Sequence, residues 1–306
     1  MVSYSVLLSL GTNENDYQRA QAEAAKAVAQ SIDLKLEIQY AENDAVLQSQ
    51  QVLKALQHKT RRFDAIIVQP VGTSMEQPAR LASASGIVWG ILNHDADYVS
   101  TLRQCGKATQ FEVTSDQLEV GRIQARQAAA LLPHGGVALY MEGPSTGTAA
   151  RLRAEGMMAA KPENLQLKIL KGDWTAACAR KSIVNWIGLS TSRKLGISIV
   201  ICQNDNMAAG AHDALQSSLS GTEREQWLRL PITGCDGLPG GGQEMVKRGT
   251  LTATIIIPPN AGIALELAGK ALRGEPIPER TVCTVQSYPS IEKLRQQIGA
   301  IEFASR

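Results

Sequence analysis

A three-part pattern recurs along this chain: a short continuous apolar run, an abrupt polar stop, then an amphipathic helical period. Ile197–Leu215, reading ISIVICQNDNMAAGAHDAL, shows it most clearly. The β-branched residues Ile197, Ile199, Val200 and Ile201 stop at Gln203, Asn204, Asp205 and Asn206. Met207, Ala211, Ala214 and Leu215 then fall on one helical face. Apolar runs that do not alternate belong to strands covered on both faces. Such strands, joined by helices, build parallel sheets from right-handed βαβ units. In open sheets of this kind small ligands bind beyond the carboxyl ends of the strands.

The same pattern predicts strands at Val6–Leu10, Leu34–Ile38, Ala65–Val68 and Val88–Leu92, and again at Val137–Met141, Leu165–Ile169, Leu230–Thr233 and Thr252–Ile257. A helix face of Tyr17, Ala20, Ala24, Ala27 and Val28 follows the first strand, and one of Val46, Leu53 and Leu56 the second. Further helices are predicted over Met75–Ser85, Gln117–Leu132, Thr148–Ala159, Thr175–Leu189, Gln243–Arg248 and Ala261–Leu272, with a short one at Ile291–Ile298. At 306 residues the chain is at or beyond what one core supports, roughly 250–300 residues. Two packed α/β lobes follow.

Composition narrows the function classes. A net charge of +2, from 31 basic and 29 acidic side chains, lacks the basic stripe that nucleic acid requires. No run reaches the roughly 18 apolar residues of a membrane helix. The N-terminus has no positive region ahead of its apolar run, so it reads as the first strand rather than a signal peptide. Cys105, Cys178, Cys202, Cys235 and Cys283 are odd in number and dispersed. They suit neither a zinc site nor a disulfide framework, and they fit a reducing compartment slightly better than an oxidising one. No pattern implies a cofactor: GxxxxGK[ST] and a GxGxxG after a strand are both missing.

The strand ends carry the chemistry. Ser9 leads to Asn13, Asn15 and Asp16. The fourth strand ends at Asn93, His94 and Asp95. Ser115 and Asp116 precede a helix, and Trp174, Asn204 and Asp236 close the set. Taken singly, Asn15, Asp16, Ser115, Asp116 and Asn206 read as helix caps, and Asp236-Gly237 as a turn. Their recurrence at one sheet edge, joined by Arg151 or Arg153 and by the Trp174 indole, suits a hydroxylated ligand. Carboxylate and guanidinium forks grip vicinal hydroxyls, and an aromatic face covers the C–H side of a sugar ring. Gly143-Pro144-Ser145-Thr146-Gly147 also fits the G-x-S-x-G elbow of serine hydrolases. His212, the only histidine after Ser145, falls inside a predicted helix, so the nucleophile lacks a base.

Six blocks in order resemble the type I sugar-binding proteins of ABC transporters, the ribose-binding-like group, over nearly the whole chain. They are DAIIVQPVGTSMEQPA at Asp64–Ala79, TSDQLEVGR at Thr114–Arg122, EGPSTGTAARLRAEG at Glu142–Gly156, QNDNMAAGAHDAL, GCDGLP at Gly234–Pro239 and KRGTLTATI at Lys247–Ile255. The resemblance implies the type I periplasmic binding protein fold, with two similar Rossmann-like lobes. Its domains would be 1–114 with 258–282, and 115–257 with 283–306, crossing near Thr114, Ile257 and Val282. It implies a ligand clamped between the lobes by Ser9, Asn13, Asn93, Ser115, Arg153, Trp174, Asn204 and Asp236, and Tyr17 is counted with them. Arg153, not Arg151, is the matched arginine.

Departures from the family reshape the ligand. Two aromatics common after the first strand are Asn15 and Asp16 here, with Tyr17 next. Gln69 replaces the Asn before Pro70, Asn93 a common Asp, and Ile257 a common Gln. A pentose other than ribose, a hexose, a polyol or a ligand with an apolar edge fits at least as well. The resemblance thus implies a monomeric, non-enzymatic solute-binding protein for a small neutral hydroxylated ligand, periplasmic or extracellular, serving a membrane permease. A ligand-sensing domain of a receptor or regulator is the alternative, and a hydrolase using Ser145 a minor one.

Overall fold

The structure is a computed structural model that describes residues 4–58, 60, 62–94, 96–105, 107–189 and 195–304. In chain order its first elements are β1 (Ser5–Leu10), α1 (Asp16–Ser31), β2 (Lys35–Tyr40), α2 (Ala45–Gln57), β3 (Ala65–Val68), α3 (Glu76–Ala84), β4 (Val88–Leu92), α4 (Tyr98–Cys105) and β5 (Gln110–Ser115). Then come α5 (Gln117–Leu131), β6 (Gly136–Glu142), α6 (Thr148–Ala160), β7 (Leu165–Lys171), α7 (Ala176–Ile187), β8 (Ile197–Cys202), α8 (Asp205–Ser218), α9 (Gly221–Leu228) and β9 (Ile232–Thr233). The last are α10 (Gly242–Lys247), β10 (Thr254–Ile256), α11 (Ala261–Leu272), β11 (Arg280–Cys283), β12 (Gln286–Tyr288) and α12 (Ile291–Ala304).

The chain divides into two compact units. The first holds Met1–Ser115, Thr146–Ala149 and Pro259–Cys283; the second holds Asp116–Ser145, Ala150–Pro258 and Thr284–Arg306. The first unit has one parallel sheet in the order β11-β5-β4-β3-β1-β2. Strand order reverses between β1 and β3, the topological switch point of a doubly wound sheet. Successive β1 residues serve opposite faces, as pleating requires. Val6, Leu8 and Leu10 pack with Ala22 and Ala25 of α1 and with Ala264, Leu265 and Ala268 of α11. Leu7 joins Ile66, Trp89 and Ile91 against Val52 of α2, Ala79 of α3 and Leu102 of α4.

The second unit repeats the plan in the order β7-β6-β8-β9, also parallel. Its switch point lies between β6 and β8. Leu139, Met141, Val200 and Cys202 face α7 and α8. Ala138, Tyr140, Ile199 and Ile201 face α5, Met157 of α6 and Leu294 of α12. Parallel bridges at Thr233↔Ala253 and Asp236↔Ile256 extend the sheet past β9, and β10 pairs antiparallel with β12. The α/β class expected from the alternation is the one found.

Two helix faces differ from the sequence expectation. In α1 the buried stripe is Tyr17, Gln18, Gln21, Ala22, Ala25 and Ala29, rotated from Ala20, Ala24 and Ala27. In α2 it is Gln48 and Val52, while Val46 is 64% exposed. In both helices a glutamine takes an inward position because it has polar work there. Gln48 Nε2 donates to Ser9 Oγ and to the Gln69 carbonyl, and its Oε1 accepts from Val71 N–H. A hydrophobicity pattern cannot register such partners. The short elements α4, α9, β11 and β12 also carried too few periodic residues to be predicted.

Candidate functional site

In the first unit β4 delivers Asn93, whose φ of +50° lies in the left-handed region. That region is sparsely populated by residues other than glycine, and asparagine is among those that tolerate it. Asn93 is buried, and its Nδ2 donates to Tyr17 Oη at 3.3 Å. These two predicted residues are therefore together. Ser115 ends β5, is 1% exposed, and its hydroxyl has no hydrogen-bond partner among the described residues. An orphaned buried hydroxyl costs about 1–3 kcal/mol, which a bound group can relieve.

Ser9 is fully buried, and its hydroxyl is already held by Gln48 at 3.1 Å. Its observed role is to tie β1 to α2. Asn13 lies exposed in the loop before α1, where its carbonyl accepts from Arg19 Nη1 at 2.8 Å. Asn15 caps α1 through Gln18 N–H, and Asp116 caps α5 through Glu119 N–H. Asp95 lies outside the described residues.

The second unit gathers its set more tightly. Arg153 on α6 is 5% exposed. Its Nε donates to Gln117 Oε1 at 2.8 Å and its Nη1 to the Gln203 carbonyl. The guanidinium lies 5.4 Å from the centre of the Trp174 ring, within cation–π range. Trp174 itself has φ of +74°, an outlier for a bulky residue. A Cβ on Gly143 would come within 2.3 Å of the indole. The first glycine of the G-x-S-x-G segment thus makes room for Trp174. Ser145 is exposed in the turn between β6 and α6, and His212 sits on α8. No imidazole is hydrogen-bonded to Ser145 among the described residues.

Asn204 follows β8 and caps α8: its Oδ1 accepts from Met207 N–H at 2.8 Å, and its Nδ2 donates to the Trp174 carbonyl at 2.9 Å. The sequence pattern left the cap to Asn206. The Asp205 carboxylate turns inward, where it accepts from Gly237 N–H and from Thr254 Oγ1, both at 2.7 Å. Cβ atoms on Gly234 and Gly242 would fall 2.2 and 1.9 Å from its oxygens. Those glycines in GCDG and PGGG therefore clear space for a carboxylate. Asp236, buried with φ of +109°, is held by backbone bonds to Ile255 and Ile257.

Beneath this set runs a buried amide network. Gln203 Nε2 donates to Tyr140 Oη at 2.9 Å, and its Oε1 accepts from Gly143 N–H at 2.8 Å. Burial raises the Tyr140 phenol well above its ordinary pKa, so it stays protonated and donates to Gln124 Oε1. Sequence reading missed Gln117, Gln124 and the inward role of Asp205. Glutamine on a helix and Asp at a helix start have ordinary surface and cap readings.

Among the described residues, six that are not glycine have positive φ: Asp33, Glu42, Asn43, Asn93, Trp174 and Asp236. Three of the six are predicted site residues at strand ends. Such conformations persist only where surroundings over-determine them, and they cluster at binding sites.

The thiols of Cys178, Cys202, Cys235 and Cys283 all have pKa values raised by burial. Cys202 and Cys235 are fully buried, and the neutral thiol is a poor nucleophile. Iodoacetamide at neutral pH should therefore leave these two unmodified in the native protein and alkylate them in denaturant. Peptide mass spectrometry checks this, and native-state labelling of either residue contradicts the packing described. No cluster of three or more metal-ligating side chains occurs among the described residues. No described helix is long and apolar enough to cross a membrane.

Comparison with known proteins adds three relatives and a family. A Rhizobium meliloti protein named for rhizopine binding is 28% identical over 197 residues, 62% of this chain and 60% of that protein. The match thus spans about 60% of that relative's length. An ABC transporter solute-binding protein from Bacillus halodurans with bound myo-inositol superposes with a TM-score of 0.79 at 24% identity, over 96% of this chain and 97% of that one. The fructose-binding periplasmic domain of a hybrid two-component system gives a TM-score of 0.78 at 22% identity, over 99% and 96%. The family model of the periplasmic binding protein domain matches residues 6–276. With its two doubly wound sheets and polar residues at both switch points, the chain belongs to the periplasmic binding protein domain family.

Proposed function

We propose that this protein binds one small neutral hydroxylated molecule, a sugar or polyol, and delivers it to the permease of an ABC transporter outside the cytoplasmic membrane. The observation that carries the reading is the state of Arg153. Of five guanidinium N–H donors, two are used within the protein, both on neutral oxygens, and no ion pair is formed among the described residues. Buried charges are normally paired. The remaining donors, beside the Trp174 ring, suit ring and hydroxyl oxygens of a ligand whose C–H face meets the indole. Closure of the lobes on the ligand, as the family resemblance implies, would shift an open–closed equilibrium that a permease reads. The proposed chemistry is binding: no imidazole is hydrogen-bonded to Ser145 among the described residues, and the hydroxyl–imidazole contact of Thr148 Oγ1 with His94 Nε2 at 3.0 Å is read as a tie between the β4 end and the start of α6.

Titration calorimetry with D-ribose, D-xylose, D-allose, D-galactose and myo-inositol tests this. One or more should bind with micromolar or tighter affinity and raise the melting temperature. Neither heat nor a thermal shift with any of them would overturn the reading. A sensor role remains the second reading, favoured by the likeness to the fructose-binding domain of a two-component system. A kinase or DNA-binding domain encoded in the same reading frame would select it.

A further inference from the structure

Asn93 is not held by Tyr17 alone. Asn260, immediately before α11, is fully buried, and its Nδ2 donates to Asn93 Oδ1 at 2.7 Å. Asn93 Nδ2 donates back to Asn260 Oδ1 at 3.3 Å. Gln21 of α1, also fully buried, donates from Nε2 to the same Asn260 Oδ1 at 2.8 Å. The opposite end of the Gln21 amide accepts from the backbone N–H of Ala261 at 2.8 Å.

A backbone N–H can only donate, and this fixes every amide in turn. Ala261 N–H requires the oxygen of Gln21 at that end, so Gln21 presents its NH2 to Asn260. Asn260 must meet it with oxygen, which turns the Asn260 NH2 toward Asn93 and the Val113 carbonyl, the latter at 3.4 Å. Asn93 must then meet that NH2 with its oxygen. Both Asn93 amide hydrogens are thereby engaged, one by Tyr17 Oη and one by Asn260 Oδ1. A carbonyl oxygen has two lone pairs, and the Asn260 bond uses one.

We propose that Gln21 and Asn260 are positioning residues that set the polarity of the binding site at Asn93, so that Asn93 offers a ligand hydroxyl an uncharged acceptor oxygen and no donor. The proposal rests on the binding reading above and adds a requirement to it. The ligand group met there must be a hydroxyl that donates, which an ether or methylated oxygen cannot do. It also explains why this chain can hold Asn rather than Asp at position 93. A carboxylate would set one of its oxygens against Asn260 Oδ1, which Gln21 keeps pointing that way.

Gln21→Glu reverses the relay. Ionised, a carboxylate still accepts from Ala261 N–H but cannot donate to Asn260, so Asn260 gives up its 3.4 Å bond to the Val113 carbonyl and turns over, and Asn93 follows and presents an N–H outward. Gln21→Leu removes the relay and is the second variant should Gln21→Glu fold poorly. The first readout needs no ligand: hydrogen exchange of the Asn93 side-chain amide by 15N NMR, assigned by its absence in Asn93→Ser. In the wild type both hydrogens should exchange at least tenfold more slowly than those of exposed Asn13. In Gln21→Glu one of them should approach the Asn13 rate. Exchange at the Asn13 rate in the wild type, or a pattern unchanged in both variants, overturns the relay.

The second readout is affinity for whichever sugar or polyol of the panel binds the wild type. Gln21→Glu should weaken it at least tenfold. Unchanged affinity in a variant whose exchange pattern has reversed overturns the assignment of the Asn93 oxygen to the ligand. A wild type that binds no probe refutes the binding reading, and exchange still decides the relay.

Discussion

Gly156→Val will lower the melting temperature of the protein by roughly 6–12 °C, about 3 kcal/mol for a unit of this size. The reason is backbone, not side chain. A Cβ at Gly156 would sit 2.0 Å from the Leu118 carbonyl oxygen, and one at Gly121 would sit 2.0 Å from the Arg153 carbonyl oxygen. Helices α5 and α6 meet through these two glycines, with no side chain between their backbones. Neither carbonyl can swing away without breaking its helix, so the helices must separate, and overpacking of that kind is expensive. A Cβ on Gly240 would meet nothing within 4 Å, so Gly240→Ala is the control, expected within ±0.5 kcal/mol or so. Calorimetric melting of the two variants side by side checks this. If Gly156→Val melts with the control, the close helix contact is not a feature of the folded protein. Arg153 stands one turn before Gly156 on α6, so the same variant should also impair ligand binding.

Arg153→Met should reduce affinity for the sugar or polyol ligand about a hundredfold, near 3 kcal/mol, as expected when a buried hydrogen-bonded charge is truncated. The stability cost should be smaller. Gln117 Oε1 and the Gln203 carbonyl each lose a donor, at about 1 kcal/mol apiece. The Met side chain can still pack against Trp174 through a sulfur–aromatic contact. A large loss of affinity with a modest loss of stability separates a ligand contact from a structural strut. Affinity within threefold of the wild type would remove Arg153 from the site.

The alternation of apolar runs with helical periods was enough to place most strands and the long helices, because two-sided burial leaves a strong signal. The α8 face of Met207, Ala211, Ala214 and Leu215 is fully buried, as its spacing implied. The stripes of α1 and α2 were misplaced because Gln21 and Gln48 are buried for their hydrogen bonds, and their partners lie far along the chain. Gln21 bonds to Asn260, 239 positions away.

Residue identity and spacing alone determined the class of fold, the positions of the strand ends, and the clustering of polar groups there. Those follow from local periodicity and from the abruptness with which a buried strand must stop. Only the tertiary structure decided what each polar group does. It turned Asn204 into a cap, sent Asp205 inward, closed Ser9 behind Gln48, and aligned Arg153 along Trp174. A polar side chain takes its role from the donor or acceptor it meets, and such partners are brought together by the packing of distant segments.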